Sequence, residues 1–273
     1  MSDTVTIPAQ ARKSGGFLFP FSEQILPVAF FLALIVLWEV FVRAGGVPSY
    51  IFPAPSQVFN SLVNLIQRGT LWPNLGATLL SLGVGYALGA CLGVILGTAF
   101  AEVRILERLI YPLIVALQSM PKVALAPLFV MWFGYGFTSK TVTVLLISLF
   151  PVLVNTVIGL KSADSDRVDL LRAMTANRFE VFYYVKLPSA AGHIFAGLQV
   201  GFVMALIGAL VAEFIGSDKG LGIIIQNAQL NIDTAGMFAV LVILSLIGTC
   251  GTTAIKFLQR KVVFWEGGRR ADL

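Results

Sequence analysis

Six stretches of mainly apolar residues, near 25–42, 75–101, 109–133, 141–160, 194–215 and 237–258, set the rhythm of this 273-residue chain. Each approaches the ~20 residues that a helix needs to cross a hydrocarbon core of about 30 Å. Backbone groups in lipid have to be satisfied within their own segment, and no stretch alternates in the manner of a barrel strand. The pattern therefore predicts an all-α membrane protein with six transmembrane helices. The first stretch is longer than the roughly 7–15 apolar residues of a secretory signal and runs into Arg43, so it reads as a retained helix.

One long polar interval interrupts this rhythm. Between the fourth and fifth spans, residues 161–193 carry Asp164, Asp166, Arg167, Asp169, Arg172, Arg178, Glu180 and Lys186, too many charges for lipid. Val168, Leu171, Met174, Phe179 and Phe182 still recur at near-helical spacing, as on a surface made to be covered by another protein. The chain divides into a tail (1–24), a six-helix membrane domain (25–258) that includes this loop, and a second tail (259–273). Between the first two spans, Pro48, Pro53 and Pro55 favour an extended chain, with Ser56 placed to cap a short helix through about Ile66. Val58, Phe59, Leu62, Val63, Leu65 and Ile66 would rest that helix on the membrane surface.

Composition agrees with the pattern: 57% of residues are apolar and 12% charged, against about 25% charged in soluble domains. The basic residues add an orientation. Of 19 Lys and Arg residues, Arg43, Arg68, Lys140 and Lys219 fall on one side of the spans, Lys122 falls inside a span, and the other 14 fall on the opposite side. Short loops rich in Lys and Arg stay in the cytoplasm, so both termini and the 161–193 loop are expected there. The net charge of +5 is thus a matter of topology, and its spread over several loops argues against a nucleic-acid partner. Cys91 and Cys250 fall within predicted spans, where sulfur serves as a small apolar filler.

Three features inside the spans stand out. Gly85, Gly89, Gly93 and Gly97 form one helix face that admits a second backbone closely, although the sequence does not say whether the partner is this chain or a second copy. Gly197, Gly201, Ala205 and Ala209 form a similar stripe in the fifth span. In the third span, Met120-Pro121-Lys122 and Pro127 should kink or break the helix. A charge at that depth costs at least a few kcal/mol, so Lys122 should face protein, water or a solute path. Ser119, Lys122 and Glu213 are the candidate residues of such a path. Capping of freed carbonyls is the alternative for Lys122, and helix-end hydrogen bonding or snorkelling for Glu39 and Glu213.

No Gly-rich phosphate loop, His-Glu-x-x-His or Gly-x-Ser-x-Gly occurs, and His193 is the single histidine. The polar groups assemble no catalytic set and no metal site. Holding a thousandfold solute gradient takes about 4 kcal/mol, and the sequence shows no site to draw it from ATP. A passive channel is the alternative from another class, and an intramembrane enzyme the third.

The polar interval resembles the signature loop of permease subunits of bacterial ABC importers. In that family a Glu-Ala-Ala triplet is followed by glycine, an aromatic-containing stretch and Leu-Pro; counting back from Leu187-Pro188 sets Asp169-Leu170-Leu171 at the triplet and Thr175 at the glycine. Bulkier residues replace both alanines and Thr replaces Gly, so the turn between two short helices is expected at Thr175 to Asn177, with Asn177 left-handed. Pro48 to Ser56, Met120 to Leu128, Trp132-Phe133-Gly134, Val211 to Gly216 and Gly220-Leu221-Gly222 are similar to the nitrate, sulfonate and taurine type of permease, over nearly all of residues 25–258. The resemblance implies a homodimer in the bacterial inner membrane, an extracytoplasmic solute-binding protein, and two ATPase subunits that carry the ATP and magnesium. It implies ATPase docking at Asp169, Leu171, Arg172, Met174, Thr175, Asn177, Phe179 and Phe182, and passage of an anion such as a sulfonate, taurine or nitrate. Similar permeases import vitamin precursors, riboflavin or aromatic acids.

Overall fold

The computed structural model describes residues 22–103, 105, 109, 116 and 120–266, and among these every regular element is helical. In chain order they are α1 (Ser22–Ala44), α2 (Pro55–Gln67), α3 (Leu71–Glu102), α4 (Ala126–Phe133, entered through a 3-10 turn, Lys122–Leu125) and α5 (Phe137–Lys161). Then follow α6 (Ser165–Ala173), α7 (Arg178–Val181), α8 (Leu187–Gly216), α9 (Leu221–Leu230) and α10 (Thr234–Val262). Among the described residues five segments are long and apolar enough to span a bilayer: α1, α3, α5, the rod that joins α7 to α8, and α10. Residues 110–115 and 117–119 of the third predicted span lie outside the described residues, as do residues 1–21 and 267–273 of the two tails.

The ends of the bundle are fixed by contacts. Lys186, before α8, pairs with Glu102 at the end of α3, whereas the Gly136 N–H donates to the Gly216 carbonyl at the far end of α8 (3.0 Å). The chain therefore passes from one end of the bundle to the other between Glu102 and Gly136, the interval where the sequence sets its third span. The expected break in that span is visible: the 3-10 turn begins after Pro121, and Pro127 occupies the first turn of α4, where its missing N–H costs nothing.

Helix α5 is the centre of the bundle, held between α3 and α8. In lipid, apolar burial by itself drives little, and helices associate through dispersion at short backbone distances, which small residues allow. The glycine stripe of α3 turns to α5. A methyl at Gly85 would come within 2.7 Å of Val144, one at Gly89 within 2.6 Å of the Leu145 carbonyl, and one at Gly93 or Gly97 within 2.8 Å of Val152 or Thr156. The stripe's partner is thus a helix of this chain. On the adjoining face of α5, Gly197 and Gly201 of α8 meet Pro151, Val152 and Ser148.

The connection between α1 and α2 departs from expectation. Pro48 to Phe52 form a turn, with the Ile51 N–H donating to the Pro48 carbonyl at 2.9 Å, where an extended chain was expected. Ala54 rather than Ser56 is the N-cap of α2, and the Gln57 side chain reaches back to accept from its N–H (2.9 Å). Ser56 instead joins α2 to α1, its N–H and hydroxyl both donating to Glu39 (3.0 and 2.8 Å), which also pairs with Arg43. Leu62 and Leu65 of α2 pack on the main core, so α2 is folded onto the bundle as well as exposing Phe59.

Lys140 lies in no loop. It sits in the first turn of α5 with 4% exposure, and its ammonium donates to Ser217 Oγ and the Lys219 carbonyl, both at 3.0 Å.

Candidate functional site

The polar interval folds into a helical appendage with its own small core. Val168 of α6, Val181 of α7 and Val185 pack together, with Ala163, Leu171 and Ala176 partly buried around them. Asp164 caps α6 by accepting from the Asp166 N–H at 3.0 Å. Asn177 and Glu180 form a capping box on α7, each accepting from the other's backbone N–H (2.9 and 2.7 Å). The apolar stripe expected to face outward is therefore divided. Val168 and Leu171 turn inward and Phe182 is half-buried, while Met174 and Phe179 stay 71% and 73% exposed. Asp169 and Arg172 are exposed and pair with each other at 3.3 Å.

Sequence reasoning missed Leu170, Tyr183 and Tyr184, all exposed. Tyr183 stands four residues beyond Phe179, and the two rings stack at 6.3 Å, 12° from parallel. That i, i+4 spacing was the available signal. Leu170, Met174, Phe179 and Tyr183 leave the appendage with uncovered apolar side chains.

The turn in the appendage corrects a second expectation. Thr175, not Asn177, is left-handed, with φ at 66°, while Asn177 is extended at φ −75° and ψ 170°. An L-residue pays roughly 1–2 kcal/mol in this region, and a β-branched one is an outlier there. Thr175 stands where the resembling family carries glycine, and the backbone gives the physical reason for that glycine. Thr175→Gly is expected to stabilise the appendage by about 1 kcal/mol, the relief being reduced by the freedom glycine gains when unfolded. Hydrogen exchange of residues 165–186 in detergent should slow accordingly, and faster exchange would show that Thr175 carries no strain.

Lys122 opens the 3-10 turn with its ammonium 4.9 Å from the centre of the Phe150 ring, near the midpoint of α5. It is half-buried. A cation over an aromatic face is attracted by about 0.5–2 kcal/mol, more as water is excluded. Ser119 lies outside the described residues.

Glu213 is 0% exposed. It accepts from the Thr78 hydroxyl (2.6 Å) and from the Gly222 N–H (2.8 Å). Thr78 in turn accepts from the Leu221 N–H (2.9 Å), and Asn74 from the Gly220 N–H (2.8 Å). The N–H groups of the N-cap Gly220 and of the first two residues of α9 are thus met by side chains from α3 and α8, which satisfies orphan donors of a helix start. A side chain at Gly220 would overlap the Glu213 carboxylate, and its φ of 147° excludes one independently. The carboxylate shows no face to a passage in this conformation; it ties α3, α8 and α9 together.

Long apolar helices around a tightly packed centre, with a polar helical appendage whose apolar side chains stay uncovered, define a membrane-protein bundle. The model of the family described as "binding-protein-dependent transport system inner membrane component" matches residues 89–264, and the chain belongs to that family, the permease part of ABC importers of small solutes. The formylaminopyrimidine transport permease ThiX of Halalkalibacterium halodurans is 38% identical over 89% of this chain and 97% of its own length. The riboflavin transport permease RibX of Chloroflexus aurantiacus is 36% identical over 88% of this chain and 90% of its own. A putative aliphatic sulfonates permease of Bacillus subtilis is 29% identical over 85% of this chain and 84% of its own. The fold is shared with an inward-facing MetNI methionine ABC transporter, at a TM-score of 0.58 and 20% identity over 72% of this chain and 96% of that one.

Proposed function

We propose that this chain forms the solute passage of an ATP-driven importer as a homodimer, with both termini and residues 165–186 in the cytoplasm. Two ATPase subunits, carrying ATP and magnesium, dock on the appendage, and an extracytoplasmic binding protein delivers the solute. The observation that carries this reading is the exposed surface of Leu170, Met174, Phe179 and Tyr183 on an appendage too polar for lipid. The distribution of basic residues supports the orientation. ATPase closure would bias the bundle between outward-open and inward-open states.

The solute is a small heteroaromatic molecule of the vitamin-precursor kind. Identities of 38% and 36% to the formylaminopyrimidine and riboflavin permeases, against 29% to the sulfonate permease, favour that class over the anion that the motifs suggest. One observation keeps the anion reading in play: an ammonium half-buried at mid-bundle would lower the cost of moving a negative charge through a low-dielectric region. Uptake of labelled formylaminopyrimidine and of labelled taurine, in proteoliposomes holding the complete importer, decides between them. Uptake of the pyrimidine alone supports the first reading, and uptake of taurine alone the second. Under the anion reading, Lys122→Met should cut taurine uptake about tenfold or more while Lys122→Arg keeps part of it. Equal uptake by wild type and Lys122→Met would remove this lysine from the passage.

A further inference from the structure

Helices α7 and α8 are not separated by a loop. From Arg178 to Gly216 the chain is one helical segment of 39 residues, broken only in its hydrogen-bond register by a π-helical turn at Phe182–Lys186. The Leu187 N–H donates to the Phe182 carbonyl, five residues back. Pro188 supplies the cause: it has no N–H for the Tyr184 carbonyl and its ring crowds that carbonyl, so the turn before it widens. A π turn holds one residue more than the α-helix would. Everything before it is therefore turned by roughly 100° about the axis relative to an unbroken helix.

Three attachments converge on this turn. Val185 belongs to the appendage core beside Val168 of α6. Lys186 Nζ lies 2.7 Å from Glu102 Oε1 at the end of α3, with the two side chains 23% and 32% exposed. Two residues after Lys186, the Trp265 indole N–H donates to the Pro188 carbonyl (3.4 Å). The turn is thus joined to the surface that meets a partner, to a second spanning helix and to the segment after α10.

We propose that the π turn is a register element and that Lys186 and Glu102 are its positioning residues. A push on α6 reaches the turn through Val168 and Val185. Moving the extra residue along the helix then rotates α8 against α3, and the Lys186–Glu102 pair holds the turn in its resting register. This rests on residues 165–186 being the ATPase docking face. A short interhelical ion pair at an aqueous end would do for docking alone what any surface pair does, which is little. Its placement on the π turn, between the appendage core and α3, gives it a role in coupling.

The test uses the complete importer in proteoliposomes, with ATP hydrolysis and solute uptake read in the same vesicles. Lys186→Glu and Glu102→Lys should each lower the solute moved per ATP by about fivefold while the ATPase still co-purifies, and the two together should restore it. Lys186→Arg should keep the wild-type ratio. Deletion of Tyr184, which removes one residue from the turn, should leave ATP hydrolysis running with uptake lost. Unchanged ratios in both single reversals, or no recovery in the double reversal, would overturn the proposal. Wild-type vesicles that show no ATP-dependent uptake would instead overturn the importer reading on which it rests.

Discussion

Phe179→Ala combined with Tyr183→Ala should abolish recovery of the ATPase with this chain from mild detergent, while membrane insertion and the α3–α5–α8 packing stay intact. The two rings are 73% and 54% exposed and stacked on each other, and their loss uncovers nothing inside the appendage core of Val168, Val181 and Val185. Interface aromatics that fill a partner's pocket are worth about 2 kcal/mol each, so the pair should weaken docking by roughly a thousandfold. Phe182→Ala is the matched comparison: that ring is half-buried against its own chain, so the variant should lose stability before it loses partner. Normal co-purification and uptake by the Phe179/Tyr183 double variant would make these rings packing or lipid-interface residues.

Glu213→Ala should have the largest effect on the fold. It strips an acceptor from the Thr78 hydroxyl and the Gly222 N–H, both in a region closed to water, and leaves a cavity among α3, α8 and α9. Each buried donor left without an acceptor costs about 1–3 kcal/mol, and the cavity adds to that, a large share of the stability of a typical domain. Glu213→Gln should cost much less, since the amide oxygen can keep one of the two bonds. Thermal unfolding in detergent orders the three proteins, with wild type highest and Glu213→Ala lowest by the widest interval. Equal midpoints would show that α9 holds its place without the carboxylate.

The spans were readable because each is a long apolar run, and the break at Pro121 to Pro127 was readable because proline acts locally. The face of Gly85 to Gly97 was readable too, but its partner was not: closeness to Val144, Ser148, Val152 and Thr156 is a fact of packing between helices, on which periodicity within one helix is silent. The appendage turn was misplaced for a related reason. Asn tolerates left-handed backbone better than Thr, so local preference pointed to Asn177; yet Asn177 with Glu180 three residues on is a helix-start pattern, and that pattern decides. Thr175 then takes the left-handed position because the chain has to turn between two capped helices. Glu213 is the least legible residue of all. Its hydroxyl partner lies 135 positions away in the sequence, and a carboxylate near the end of a span looks the same whether it reaches for water or for another helix.

The 39-residue rod from Arg178 to Gly216 sets a scale for the motion this subunit needs. At 1.5 Å per residue it is about 58 Å long, nearly twice the thickness of a hydrocarbon core. One end is anchored where Glu213 meets Thr78 and Gly222; the other carries the aromatic surface. Were the rod to pivot at the anchored end as one piece, a tilt of about 5° would carry Arg178 through roughly 5 Å. A displacement smaller than one side chain at the fulcrum thus corresponds to a full helical turn of travel at the tip.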